Sequence, residues 1–325
     1  MTNKINLSDP AELNAWGERM AALSRQRRQA QTPEATPAPS PSKVAYLPFW
    51  PEAVRGVPNG VLRSALFGAI KKGPRRYLEC VEMSSLEGIR IIYTGPRLDQ
   101  GDLDVWETAL HIVRLCALGD EFRITAYQFL KILGLTNTGP NRNTLERRLH
   151  RLKANGVEIE IGRYSYEGSL IDEVYRDKET LEYVIRLNPK LRALFEKDQW
   201  TMVDWAVRME LSGQPLAQWL HGFYATHAKP YPMSLEKLHE LCGSEAEEMW
   251  KFKQLLARAA EAVGHACEKH GQAFQTEIRD NLVYVDRQPS RSQQKHLVKK
   301  AKPPKPTAQR RKAMTPIGDL LKPKK

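Results

Sequence analysis

TAYQFLKILGLTNTGPNRNTLERRLHRLKAN, residues 125–155, is the stretch on which the fold turns. Thr125 and Gln128 have the spacing of a capping box, and Gly134 stands where a C′ glycine ends a short helix. A polar turn follows. In the next helix Leu145, Leu149 and Leu152 recur at i, i+4 and i+7 and must face a core, which leaves Arg142, Arg147, Arg148 and Arg151 outward and Asn141, Asn143 and Thr144 at the leading end. A short bracing helix, a turn and a basic second helix is the layout of a helix-turn-helix, whose second helix enters the major groove. Arginine pairs bidentately with guanine and asparagine with adenine, so these are the residue types that groove readout requires.

Downstream, Val157 to Ile161 alternates strictly and Leu181 to Leu187 reads as a strand. The two, joined across Gly162 to Thr180, are the expected wing of a winged helix. Upstream, Asp102 to Leu118 carries Leu103, Trp106, Leu110, Val113 and Ala117 on one face, a support helix. Tyr77 to Met83 and Ile89 to Tyr93 read as a hairpin, Arg63 to Ile70 as a helix, and Tyr46 to Pro51 as an aromatic plug.

A solvated basic face on an ordinary helix bundle would carry the same arginines, but the pattern repeats. From Gln218 an aromatic-rich helix, a capped short helix from Ser234 to Gly243, a long amphipathic helix and a hairpin follow in the same order. Thr125 to Gly134 and Ser234 to Gly243 have the same length, and such internal repetition implies two related domains. In the second copy Ser244 and Glu247 make a further capping box, and Met249, Phe252, Leu256, Ala259 and Val263 form the core stripe of a helix reaching about Lys269. Lys251, Lys253, Gln254 and Arg258 lie on its other faces. Phe274 to Ile278 and Leu282 to Val285, turning at Arg279-Asp-Asn281, supply the second wing. Between the copies, Pro189 to Leu211 reads as a helical connector.

Of the formal net charge of +12 over 325 residues, +11 sits in Pro289 to Lys325, which leaves +1 for the rest. A pI near 9.5 favours a polyanionic partner. No apolar run approaches the roughly 20 residues that span a membrane, and no signal peptide opens the chain, so a cytoplasmic protein without a membrane partner is expected. Ser8-Asp9-Pro10 starts an amphipathic helix carrying Leu13, Trp16, Met20 and Leu23, and residues 32–43 form a Pro-rich linker. The expected division is 1–43 for this helix and linker, 44–190 for a first winged-helix domain, 191–288 for the connector and a second, and 289–325 for a basic disordered tail. The fold class is therefore α+β with two tandem winged helices.

Catalytic chemistry finds no support. Gly56 to Gly60 and Lys71-Lys-Gly-Pro lack the spacing of a phosphate-binding P-loop, and no His-x-His pair offers a nicking enzyme its metal. His265, Cys267 and His270 point in different directions on one helix, and Cys80, Cys116, Cys242 and Cys267 form no CxxC pair, so buried reduced thiols, no metal, no cofactor and no catalytic residue are expected.

Several short segments, in order, resemble one family. Pro58-Asn59 with Arg63-Ser64-Ala65-Leu66-Phe67, Ile92-Tyr93-Thr94-Gly95 followed by Leu98, Asp102 and Val105-Trp106, and Pro230-Tyr231-Pro232 with Leu241-Cys242-Gly243-Ser244 are similar to the TrfA-type plasmid replication initiators. The resemblance runs roughly from Phe49 to Asp286. It implies a protein that binds iterons, the double-stranded repeats of a plasmid origin, helps open the neighbouring AT-rich DNA, works with host DnaA and the replicative helicase, and passes between homodimer and monomer. Where the family carries a Gln-Leu-x-Leu-Phe peptide for the sliding clamp, this chain has its Pro-rich linker and Ala45-Tyr46-Leu47-Pro48. A tandem winged-helix transcription regulator is the alternative reading.

Overall fold

The computed structural model describes residues 44–290 apart from Arg163, and besides these only Glu18, Ala22, 293–295 and 297–298. The helix and linker expected at 1–43 and the tail expected from residue 289 lie outside the described residues, apart from those few positions. The described segment from residue 44 runs into β1 (Val54–Pro58). Of the aromatic plug ahead of it, Leu47 and Trp50 are buried while Tyr46 and Phe49 remain exposed. Trp50 stacks on Phe195 at 6.0 Å, and a Cβ on Gly56 would lie 2.5 Å from its ring, so only glycine fits there.

One helical turn, α1 (Asn59–Leu62), is followed by β2 (Phe67–Gly68). The helix expected at Arg63 to Ile70 does not form. Residues 64–68 are buried throughout, without the polar side a surface helix needs, and Phe67 stacks on Trp106 at 6.0 Å. The hairpin forms as β3 (Tyr77–Glu82) and β4 (Ile89–Pro96), with a register shift where Cys80 takes φ +50°. That thiol is exposed, whereas the other three are buried as expected. β5 (Leu98–Asp99) pairs in parallel with β2 and leads into α2 (Gln100–Val113), the support helix, which starts earlier and stops earlier than its apolar periodicity suggested. Asp99 caps it reciprocally with Asp102.

The opening stretch then follows. β6 (Glu121–Thr125) delivers Thr125, which accepts from the Gln128 amide at 3.2 Å while Gln128 accepts from the Thr125 amide at 3.0 Å, and this box starts α3 (Ala126–Ile132). Gly134 takes φ +71°, and the amides of Gly134 and Leu135 return to the carbonyls of Lys131 and Leu130, a Schellman ending. After the turn comes α4 (Gly139–Lys153), with Leu145, Leu149 and Leu152 buried as its spacing required. Thr125→Ala is expected to cost about 1 kcal/mol through the lost cap. Urea unfolding checks this; a midpoint equal to that of the parent chain contradicts it.

The expected wing is assigned differently. β7 (Gly156–Ile161) pairs with β4 and with β8 (Tyr164–Gly168), so it extends the β3–β4 hairpin into a four-stranded sheet. The hairpin after α4 is instead β9 (Glu173–Arg176) with β10 (Glu182–Arg186), and β10 also pairs with β6. Residues 156–168 are thus an insertion, and alternation alone could not say which partner each strand would take.

Beyond a 3-10 turn at Pro189–Phe195, β11 (Trp200–Asp204) pairs antiparallel with β1, and α5 (Trp205–Glu210) follows. The connector therefore contains a strand, and Leu191, Leu194, Phe195 and Val203 pack in the first core. The second series is α6 (Pro215–Ala225), β12 (Met233–Ser234), α7 (Leu235–Leu241), α8 (Met249–Lys269), β13 (Phe274–Arg279) and β14 (Leu282–Arg287). Ser234 caps α7 by accepting from the Lys237 amide, and Gly243 and Ser244 close it with the Schellman bonds seen at Gly134 and Leu135. β13 and β14 turn at Asp280 and Asn281, both at positive φ, as a two-residue hairpin loop requires. Ser244 does not cap α8: its hydroxyl accepts from Ala246, and the helix starts only at Met249.

The two series share one strand order, β6-β10-β9 in the first and β12-β14-β13 in the second. Each has its own core, drawn from Leu47 to Val203 and from Val207 to Val283. Both belong to one compact unit ending at Arg287. Arg208 on α5 is fully buried and reaches α2 of the first series: its Nε lies 2.7 Å from Asp104 Oδ1 and 3.3 Å from Glu107 Oε2, and its Nη2 donates to Gln100. Gln218 on α6 donates to the same Asp104 carboxylate. Burial pushes the Glu107 carboxyl up to about 7 against the pull of Arg208.

Candidate nucleic-acid interface

On α4 the residues farthest from the core stripe are Asn143 and Arg147, one turn apart and both exposed, with exposed Arg142 at the leading end. Arg142 Nε donates to Asn137 Oδ1 at 2.7 Å, and Asn141 donates to the carbonyl and hydroxyl of Thr136, so these side chains fix the preceding turn against the first turn of the helix. Asn141 is half-buried by those bonds.

Arg148 and Arg151 do not stand outward with Arg147. Arg148 lies only ~60° from Leu145 around a helix of 3.6 residues per turn, on the flank that meets α2. It is half-buried, and a Cβ on Gly101 would fall 1.9 Å from its Nη2, so the guanidinium lies over that glycine. Arg151 follows three residues later on the same flank and pairs with Asp102, Nη2 to Oδ1 at 2.6 Å. Asp102 is fully buried; burial and the neighbouring Asp99 raise its carboxyl to about 6, and Arg151 opposes that rise. The expected outward placement of Arg151 is therefore corrected: the side chain answers a buried carboxylate of the α2 capping box. The signal in the sequence was Asp102 itself, an acid beside the apolar stripe of α2 that needed a cation nearby.

On α8, Lys251, Lys253, Gln254 and Arg258 are all exposed, and among the described residues none has a hydrogen-bond or ion-pair partner. Phe252, Leu256, Ala259 and Val263 are buried beneath them. Matching Leu145, Leu149 and Leu152 to Phe252, Leu256 and Ala259 puts Asn143 where Trp250 stands. Trp250 is 67% exposed in the first turn, four residues ahead of Gln254 and on its face. Sequence reasoning passed it over because a tryptophan beside Met249 and Phe252 reads as core. A large aromatic held in water at the leading end of a basic helix offers an apolar surface to a thymine methyl or a base edge. Glu261 and Glu268 make the far half of α8 acidic, so the positive charge gathers in its first half.

Each basic helix is thus braced from behind: α4 by α3 and, through Arg151, by α2; α8 by α7 and by α6. No group of three or more metal-ligating side chains occurs among the described residues, and no described helix is long and apolar enough to cross a membrane.

Comparison with known proteins gives the following. The profile of the TrfA protein family matches residues 42–287. A plasmid replication initiator protein TrfA from Escherichia coli is 28% identical over 249 residues, which is 73% of this chain and 63% of that protein. Among solved structures, domains 2 and 3 of RctB match 72% of this chain and 98% of theirs at 12% identity with a TM-score of 0.48. The Pi initiator protein in complex with iteron DNA matches 58% of this chain and 91% of its own at 10% identity with a TM-score of 0.43.

Proposed function

The chain belongs to the TrfA protein family, and from that membership and the two exposed basic helices we propose that it is a sequence-specific, double-stranded DNA-binding protein that initiates plasmid replication at iteron repeats. Each series is a winged helix, with α4 and α8 as its reading helices and β9–β10 and β13–β14 as its wings. The observation that carries this is the repeated strand order, β6-β10-β9 and β12-β14-β13, with a basic helix presented at the same place in each copy. A fold that repeats its frame while keeping cations on the outer side of one particular helix fits a bipartite reader of groove segments.

On α4 the base contacts fall to Asn143, Arg147 and Arg142, with Asn141 holding the turn; Arg148 lies beside the backbone. On α8 they fall to Gln254, Arg258 and Trp250, with Lys251 and Lys253 on either flank meeting phosphates. The protein has no catalytic activity of its own in this reading. It melts the adjacent AT-rich DNA through binding energy, with host DnaA and the replicative helicase as its further partners and a homodimer as its store form.

Titrating the full chain against DNA bearing direct repeats and against shuffled DNA of equal length and composition tests the reading. Specific sites are ordinarily bound at least ~10³-fold tighter than random ones at physiological salt. A preference of this order for the repeats is expected; equal affinities contradict it. Relaxation of supercoiled origin DNA in Mg²⁺, with protein covalently attached, would instead identify a nicking enzyme.

A further inference from the structure

Four basic residues crowd into six positions between β2 and β3, Lys71-Lys72-Gly73-Pro74-Arg75-Arg76, and none of them takes part in the contacts assigned above. The loop is built. Arg75 Nη1 donates to the Lys71 carbonyl at 2.9 Å, and the same guanidinium pairs with Asp99, the N-cap residue of α2. With Arg75 so engaged, Lys71 and Lys72 are left exposed. Both line a cleft of about 380 Å³ together with Asn141, Thr144 and Arg148 from the leading half of α4. Ser212 and Gly213, from the turn between α5 and α6, line it as well, so the cleft lies where the two series meet. Its two carboxylates are neutralised in place, Asp99 by Arg75 and Asp104 by Arg208.

We propose that this cleft seats the sugar-phosphate backbone of the DNA alongside the groove segment entered by α4, with Lys71, Lys72 and Arg148 as its phosphate ligands. The inference rests on the DNA-reading assignment of α4 and adds to it a contact that carries no sequence information. A helix laid into the major groove brings the flanking phosphates to the elements beside its leading end, and here those elements are a pinned basic loop and an arginine turned toward it. Exposed lysines on a loop held by a half-buried ion pair meet a polyanion without reordering the backbone.

The test is the salt dependence of binding by the full chain. Each phosphate contact contributes a slope of about −0.9 to the plot of log affinity against log salt. Lys71→Gln/Lys72→Gln is expected to make that slope shallower by about two, with equal losses on repeat and shuffled DNA and an unchanged Tm. Lys190→Gln/Lys197→Gln removes the same charge from exposed positions outside the cleft and is expected to change the slope little. An unchanged slope for the cleft pair, or equal effects of the two pairs, overturns the proposal. If the parent chain shows no preference for repeats, the DNA-reading assignment fails instead; a preference kept alongside an unaltered slope sinks the cleft alone.

Discussion

Arg208→Ala is expected to produce a large loss of stability. The guanidinium is wholly buried between Asp104 and Glu107, and its removal leaves two carboxylates in the interior without their counter-charge. Breaking a buried pair in this way costs about 3–5 kcal/mol, far more than the pair contributes relative to a well-packed apolar substitute. For a unit of this size that corresponds to a fall in Tm of roughly 6–20 °C. Calorimetry measures it, and a fall of under about 2 °C contradicts the assignment. Restoring neutrality with Asp104→Asn and Glu107→Gln in an Arg208→Met background should recover much of the loss, because neither carboxylate is then left charged without Arg208, and Glu52 remains to offset buried Arg55. Both oxygens of Glu107 already lack hydrogen-bond donors, so that site tolerates a neutral side chain better than a lone charge.

The second large effect is on specificity. Arg147 is exposed, opposite the core stripe of α4 and one turn from Asn143. Arg147→Ala is expected to lower affinity for the repeat by about 5- to 150-fold, the equivalent of one bidentate base contact at ~1–3 kcal/mol, while affinity for shuffled DNA falls by a smaller factor. Equal losses on both would make Arg147 a phosphate ligand. Arg151→Ala separates the two roles of arginine on this helix. It strips the partner from buried Asp102 and should lower Tm, so that its DNA affinity recovers at low temperature; the Arg147→Ala deficit should persist at every temperature below unfolding.

The contrast between Arg147 and Arg151 marks how far the sequence could be read. Leu145, Leu149 and Leu152 set the buried side of α4 without ambiguity, because apolar spacing is a local signal. Which flank an arginine takes beside that stripe depends on what the neighbouring helix offers, and the Asp102 carboxylate comes from forty-nine residues away. The caps at Thr125 and Ser234 and the glycines at 134 and 243 were legible for the same local reason. Strand partners were not. β7 alternates as cleanly as a wing strand should, yet its register is with β4, and only the assembled sheet distinguishes the insertion at 156–168 from the hairpin at 173–186. The helix expected at 63–70 failed because a run buried on all sides carries no periodicity to tell helix from strand. Trp250 and the Lys71-Lys72 loop were missed in opposite directions, one because its residue type suggests the interior, the other because it lies outside the repeated unit.

In the function proposed above, two helices of one chain, α4 and α8, read two neighbouring groove segments on a fixed frame. Base-resolution footprinting of the full chain on a single repeat tests it most directly. Two protected segments are expected on the duplex, separated by on the order of one helical turn, with Arg147→Ala erasing base protection in one and Gln254→Ala/Arg258→Ala erasing it in the other. One protected segment only, or a pair that either substitution abolishes together at saturating protein, would contradict the account.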